Sequence, residues 1–162
     1  MLGILREVEM KKIVILTILI LVLTLTKYSS AQTGLKLSQT QSDAQHGELV
    51  KVSSGSYRNI LSEQLWTMLQ NKDFVMINVH IPYEGELPHT DVFIPYNQIE
   101  DNLDKLPADK TAKIVLYCRS GRMSVIASET LVKLGYTNVW NLNDSMIEWK
   151  KKGFPFLDKR SN

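Results

Sequence analysis

Ile114-Val115-Leu116-Tyr117-Cys118-Arg119-Ser120-Gly121-Arg122-Met123-Ser124 is the stretch on which the reading of this chain turns. An apolar run of strand length, Ile114 to Tyr117, gives way to a short polar loop with a glycine. A helical pattern follows from about Arg122 to Leu134, with Val125, Ile126, Leu131 and Leu134 available for burial and Gly135 as its stop. The loop opens on Cys118, the only cysteine of the chain.

Outward from this unit the same alternation repeats. Ser62 to Gln70 reads as a helix with Ser62 as its N-cap and Leu65, Trp66 and Leu69 on one face. Phe74 to Val79 is an apolar run of the kind buried on both faces of a parallel sheet. Ile94-Pro95 closes a short extended piece, Asn97 to Leu103 forms a short helix, and Pro107-Ala108-Asp109-Lys110 turns into the 114–117 strand. Val139 to Leu142 is a last strand, and Ser145 to Lys151 a last helix carrying Met146 and Trp149. Alternating strands and helices predict an α/β fold, with a central mainly parallel sheet and helices on both faces.

The N-terminus addresses the compartment. Lys11 and Lys12 precede an apolar and Thr run of 14 residues, Ile13 to Thr26, shorter than a spanning helix needs and of the length of a signal-peptide core. Ser29 and Ala31 are small residues at the spacing of an export cleavage site. Residues 1–31 are therefore expected to be a signal peptide, with Met10 as the true start and cleavage before Gln32. The alternative is an uncleaved leader that anchors the chain to a membrane. Either way the domain is expected outside the cytoplasm, in a periplasm or secreted.

The leader holds four of the 19 basic and two of the 17 acidic residues, which leaves 15 of each and a balanced remainder. Such a balance gives no basic excess of the kind nucleic-acid binders carry. Residues 32–55, rich in Gln, Ser, Thr and Gly without a sustained apolar period, read as a flexible linker, and 56–158 as the folded domain.

One cysteine cannot build a disulfide framework. Cys118 is buried and inert, paired with another molecule, or reactive. Its place at the carboxyl end of a strand and before a helix N-terminus puts it where open α/β sheets bind ligands and where unpaired backbone N–H groups favour an anion, thiolate included. Arg119 and Arg122 add positive charge, and Gly121 permits a tight turn. The loop suits nucleophilic attack on an anionic substrate. The competing reading is a buried thiol beside two solvent-facing arginines.

The series Tyr117-Cys118-Arg119-Ser120-Gly121-Arg122-Met123-Ser124, Leu134-Gly135-Tyr136-Thr137-Asn138-Val139, Leu142, Met146 to Trp149, and Gly153-Phe154-Pro155 resembles the rhodanese-like single-domain sulfurtransferases. The likeness spans about Ser56 to Phe156. It implies the rhodanese-like fold and a double displacement in which Cys118 takes a sulfane sulfur from thiosulfate or a similar small anionic donor. The resulting persulfide then passes the sulfur to a thiophilic acceptor, a small thiol or a protein. It further implies that loop amides from Arg119 through Ser124, counting Ser120, Gly121, Arg122 and Met123, surround the sulfur, and that the two arginines attract the donor. A non-catalytic persulfide carrier or sulfur-sensing module is the alternative.

A phosphatase on the same fold would place a phosphate-clasping arginine six positions after the cysteine, where Ser124 stands; Arg122 comes two residues early. The loop therefore favours a sulfur-sized substrate over phosphate or arsenate. The chain departs from the family at three places. Asn78-Val79-His80 replaces the common Asp-Val-Arg, although Glu84 matches the usual acidic residue. Gly85 to Thr90 keeps only a faint trace of Gly-His-Ile-Pro-Gly-Ala. Asp144-Ser145 replaces a glycine pair and is expected to put side chains and a negative charge at the pocket rim. His80, Asp144 and Ser145 are thus candidate pocket walls, His80 either hydrogen-bonded for structure or assisting proton transfer.

His46 and His89 read as solvated, and no spacing among the three histidines and Cys118 fits a metal site. Trp66, Trp140 and Trp149 read as packing, and nothing calls for a cofactor. Lys150-Lys151-Lys152 complements the C-terminus of the last helix.

Overall fold

Every residue of Ile114–Tyr117 (β5) is fully buried, and successive side chains enter opposite sides of the sheet. Ile114 and Leu116 join one apolar cluster with Ala127, Leu131 and Val132, whereas Val115 and Tyr117 join another with Leu65, Leu69 and Trp149. A strand apolar at every position is stable only with both faces covered, which is why helices lie on both. The computed structural model describes residues 16–24 and 47–158.

With β5, the strands β1 (Glu48–Val52), β2 (Gly55–Ile60), β3 (Val75–Asn78), β4 (Val92–Phe93) and β6 (Val139–Leu142) form a six-stranded sheet in the order β1-β2-β6-β5-β3-β4. All neighbours are parallel except β1 and β2. Helix α2 (Arg122–Lys133) covers one face, and α1 (Ser62–Leu69) and α3 (Ser145–Lys151) cover the other. Trp149 is fully buried, with its indole N–H donating to Pro155 O at 2.7 Å and its ring against Trp66 and Phe154. Burial of a side chain this large contributes on the order of 3 kcal/mol.

Three expectations are corrected. The flexible linker does not extend to residue 55. Residues 48–60 form a β-hairpin turning at Ser53-Ser54, in which Val50 pairs with Tyr57 and Val50 and Val52 pack on the α2-side core. The alternation there is short and polar, and β2 is a strand because it docks parallel to β6 through Arg58, Asn59 and Ile60. Residues 97–103 are not a short helix but parts of two 3-10 turns, Tyr96–Gln98 and Glu100–Lys105, broken by non-helical backbone at Asn102.

The N-cap of α1 is Leu61, not Ser62. The missing cap oxygen comes from outside the helix: Asp144 accepts from Ser62 N–H at 3.1 Å and from Ser62 Oγ–H at 2.9 Å. Gln64 Oε1 accepts from Leu61 N–H at 2.7 Å.

In the N-terminal unit, Met1–Ser42, residues 16–24 are helical with exposed side chains. Among the described residues no helix is long and apolar enough to cross a membrane. The rest of the expected leader, 1–15 and 25–31, and the expected linker over 32–46, His46 included, lie outside the described residues.

Candidate active site

Cys118 follows β5 directly, and the loop from Arg119 to Gly121 leads it into α2. Gly121 has φ +91°, and a Cβ there would lie 3.0 Å from Asn143 O. Only glycine turns the chain here without strain while passing so close to the segment after β6. The turn aims two backbone donors at the sulfur: Gly121 N–H at 3.1 Å and Ser124 N–H at 3.4 Å from Sγ. Ser124 Oγ donates to Gly121 O at 3.0 Å and accepts from the Cys118 thiol at 3.5 Å. From the opposite side the first turn of α3 grips the loop, with Met146 N–H on Cys118 O (3.1 Å) and Ile147 N–H on Arg119 O (3.2 Å).

Cys118, Gly121 and Ser124 are buried, Met123 is half-buried against the same cluster, and Arg119, Ser120 and Arg122 are exposed. Cys118 has no solvent-accessible surface. The amides of Arg119, Ser120, Arg122 and Met123 find no acceptor among the described residues. Of the six loop amides expected around the sulfur, two reach it and four are free. The arginines also part company. Arg119 Nε is held by Glu84 Oε2 at 3.2 Å, while Arg122 has no partner among the described residues and sits on the positive end of α2. A cation at a helix N-terminus is unfavourable unless an anion joins it.

The wall residues divide as well. Asn78 uses both ends of its amide, Nδ2 donating to Gly85 O and Oδ1 accepting from His80 N–H, each at 3.0 Å. An aspartate could not make the first bond, so this departure from the family pattern locks the 80–85 loop to the sheet. Nearby, Tyr117 Oη accepts from Leu87 N–H at 3.1 Å and lies 2.6 Å from Thr90 Oγ1, and burial pushes its pKa up. His80 is buried and neither ring nitrogen has a hydrogen-bond partner, so the structural hydrogen bond expected of it is absent. Glu84 Oε1 lies 3.7 Å from Nε2, outside hydrogen-bond length. Burial lowers the His80 pKa, Glu84 opposes this, and Arg119 adds to it.

Asp144 supplies no free charge to the rim. Its carboxylate is taken up by Ser62 and by Lys152 Nζ at 2.7 Å. Lys152 also bridges to Glu63 at 2.8 Å, Lys151 pairs with Glu148 and Lys150 lies over the Phe156 ring, so the lysine run is engaged locally. Ser145 is buried with φ +66° at the start of α3. A non-glycine residue in that region costs roughly 1–2 kcal/mol, against roughly 0.5–1 kcal/mol for the extra chain entropy of glycine. Ser145→Gly is expected to raise stability by about 0.5–1 kcal/mol, read by urea unfolding, with the Met146 bond to Cys118 O kept.

A cavity of about 490 Å³ is lined by Ile60, Gln64, Met68, Lys113 and Trp140 among others and by no residue of this loop. The residues that sequence reasoning missed are Asn143, Met146 and Ile147, which act through backbone atoms, and the clamping role of Asn78. Backbone roles leave little signal in side-chain identity.

The pattern of the rhodanese-like domain matches residues 61–152, more than half of the chain. A mitochondrial protein of Schizosaccharomyces pombe named as a thiosulfate sulfurtransferase is 36 % identical over 97 residues, 51 % of this chain and 67 % of that protein. A sulfurtransferase of Allochromatium vinosum is 29 % identical over 93 residues, 56 % of this chain and 84 % of that protein. The crystal structure of a rhodanese-related protein from Thermoplasma volcanium superimposes with a TM-score of 0.54 at 24 % identity, covering 62 % of this chain and 98 % of that one. With its sheet order, its cysteine-bearing loop at the head of α2 and its sulfurtransferase relatives, this chain belongs to the rhodanese-like domain family.

Proposed function

We propose that the protein is a sulfurtransferase that moves a sulfane sulfur from thiosulfate or a similar small anionic donor to a thiophilic acceptor through a persulfide on Cys118. The observation that carries this reading is the pair of N–H donors, Gly121 and Ser124, aimed at Sγ at the start of α2. Donors so placed stabilise negative sulfur, the form that attacks and the form that leaves. In the first half-reaction the thiolate attacks the outer sulfur of thiosulfate. A bond forms from Sγ to that sulfur, the donor's S–S bond breaks, and sulfite departs with the electron pair. The four free amides and Arg122 offer an anionic donor its partners. In the second half-reaction the acceptor attacks the outer sulfur and Cys118 leaves as thiolate.

The covered sulfur supports a second reading, a carrier that shields its persulfide until a partner opens the loop. Intact-mass analysis after incubation with thiosulfate, run beside a thiocyanate assay with cyanide, separates the two. The enzyme gains one sulfur on Cys118 and produces thiocyanate over many turnovers; the carrier keeps the sulfur and turns over little. Absence of any sulfur adduct with thiosulfate or inorganic polysulfide overturns both. We also place this activity outside the cytoplasm, on the strength of the basic, apolar and small-residue order of residues 11–31.

A further inference from the structure

We propose that His80 is the base that takes the proton from a thiol acceptor in the second half-reaction. This rests on the sulfur-transfer reading above and assigns it an acceptor class. The His80 side chain is only 8 % exposed, yet among the described residues neither ring nitrogen has a partner within hydrogen-bond distance, Glu84 Oε1 standing 3.7 Å from Nε2. Buried polar atoms left without a hydrogen bond are destabilising and call for an explanation. The segment is anchored without a hydrogen bond from the ring, because the backbone N–H of His80 is held by Asn78 Oδ1 at 3.0 Å.

Position ties the ring to the reacting loop. Strand β3 runs parallel to β5 with Asn78 opposite Tyr117, and Val79 N–H donates to Tyr117 O at 3.0 Å, so Val79 flanks Cys118 and His80 stands one residue beyond. Glu84 joins the two segments, with one carboxylate oxygen 3.7 Å from His80 Nε2 and the other 3.2 Å from Arg119 Nε. Glu84 and Arg119 are the charged groups that act on the ring. Burial keeps the imidazole neutral, with a lone pair to offer, and Glu84 is in place to balance the charge once a proton arrives.

The chemistry that needs such a base is specific. Cyanide attacks as an anion with no proton to lose, whereas a thiol of pKa ~8.5 is mostly protonated at neutral pH. The acceptor S–H bond breaks and an N–H bond forms on His80. The acceptor thiolate attacks the outer persulfide sulfur, and the Sγ–S bond breaks with its electron pair left on Cys118. The product is the acceptor persulfide, and the imidazolium returns its proton to solvent. The family's usual arginine at this position cannot serve as a base, since it stays protonated.

The test uses the full chain loaded with sulfur from thiosulfate and discharged in separate single turnovers by N-acetylcysteine and by cyanide, each followed by intact mass. In His80→Gln, the ratio of thiol to cyanide discharge at pH 7 is expected to fall by about 10²-fold, and thiol discharge to recover with added imidazole. Equal slowing of thiol and cyanide discharge, or no slowing of either, overturns the assignment.

Should His80→Gln fail to fold, the wild-type pH profile decides. The ratio of thiol to cyanide discharge is expected to fall below neutrality as an imidazole titrates; a ratio that follows only the ionisations of the two acceptors overturns the assignment. A wild-type protein that takes up no sulfur overturns the sulfur-transfer reading itself, a result distinct from any ratio of discharge rates.

Discussion

Cys118→Ser is expected to abolish sulfur transfer, with thiocyanate formation falling at least about 10⁴-fold and no sulfur adduct by mass. The magnitude follows from the chemistry of the nucleophile. A serine hydroxyl at neutral pH is almost wholly protonated, and its oxygen is a poor match for sulfane sulfur. The cradle does not rescue it, because two N–H donors at 3.1 and 3.4 Å from Sγ stabilise an anion without supplying a base to create an alkoxide. The fold should survive, since the hydroxyl remains an acceptor for the same two donors in a site already lined by Ser124. Thermal unfolding close to wild type together with lost transfer is the expected pair of results. Transfer that persists in this variant removes Cys118 from the reaction.

Gly121→Ala is the second large effect, and it reaches chemistry and stability together. The added Cβ lies 3.0 Å from Asn143 O, and the backbone stands at φ +91°, which side-chain-bearing residues rarely adopt. Strain of this kind costs about 1–3 kcal/mol. Relief requires a shift of the loop or of the segment after β6. Such a shift moves the Gly121 N–H away from Sγ and disturbs the carbonyl that binds both Ser124 Oγ and Val125 N–H. Displacement of a positioned group by about 1 Å commonly costs 10²-fold in rate. A loss of about 2 kcal/mol in urea unfolding and of about 10²-fold in sulfur transfer is expected; a variant that unfolds like wild type and transfers sulfur at the same rate removes the turn from the account.

Much of the fold was readable because its elements are periodic and long enough to declare themselves. β5, β6 and α3 fall on the expected residues, and α2 ends one residue before the expected Leu134. The β1–β2 hairpin escaped because its alternation is polar and brief, and pairing with β6 makes β2 a strand. The cap of α1 escaped for a related reason: its acceptor, Asp144, is 82 residues away in sequence from Ser62. That distance also reversed the expectation for Asp144, whose charge serves a helix end and Lys152 and not the rim.

The site divides along the same line. Residue types and local spacing are properties of the chain itself, so the sequence alone determined a lone thiol at a strand end, a glycine in the turn, two flanking arginines and the family these residues resemble. Which amides reach the sulfur, that Glu84 engages Arg119 while Arg122 has no partner among the described residues, that Asn78 clamps the 80–85 loop, and that the His80 ring is buried without a hydrogen bond to any of them were decided only by the tertiary structure. The physical reason is that hydrogen bonds and ion pairs act over 3–4 Å, and residues far apart in the chain come within that reach only when the sheet and its crossovers bring their segments together.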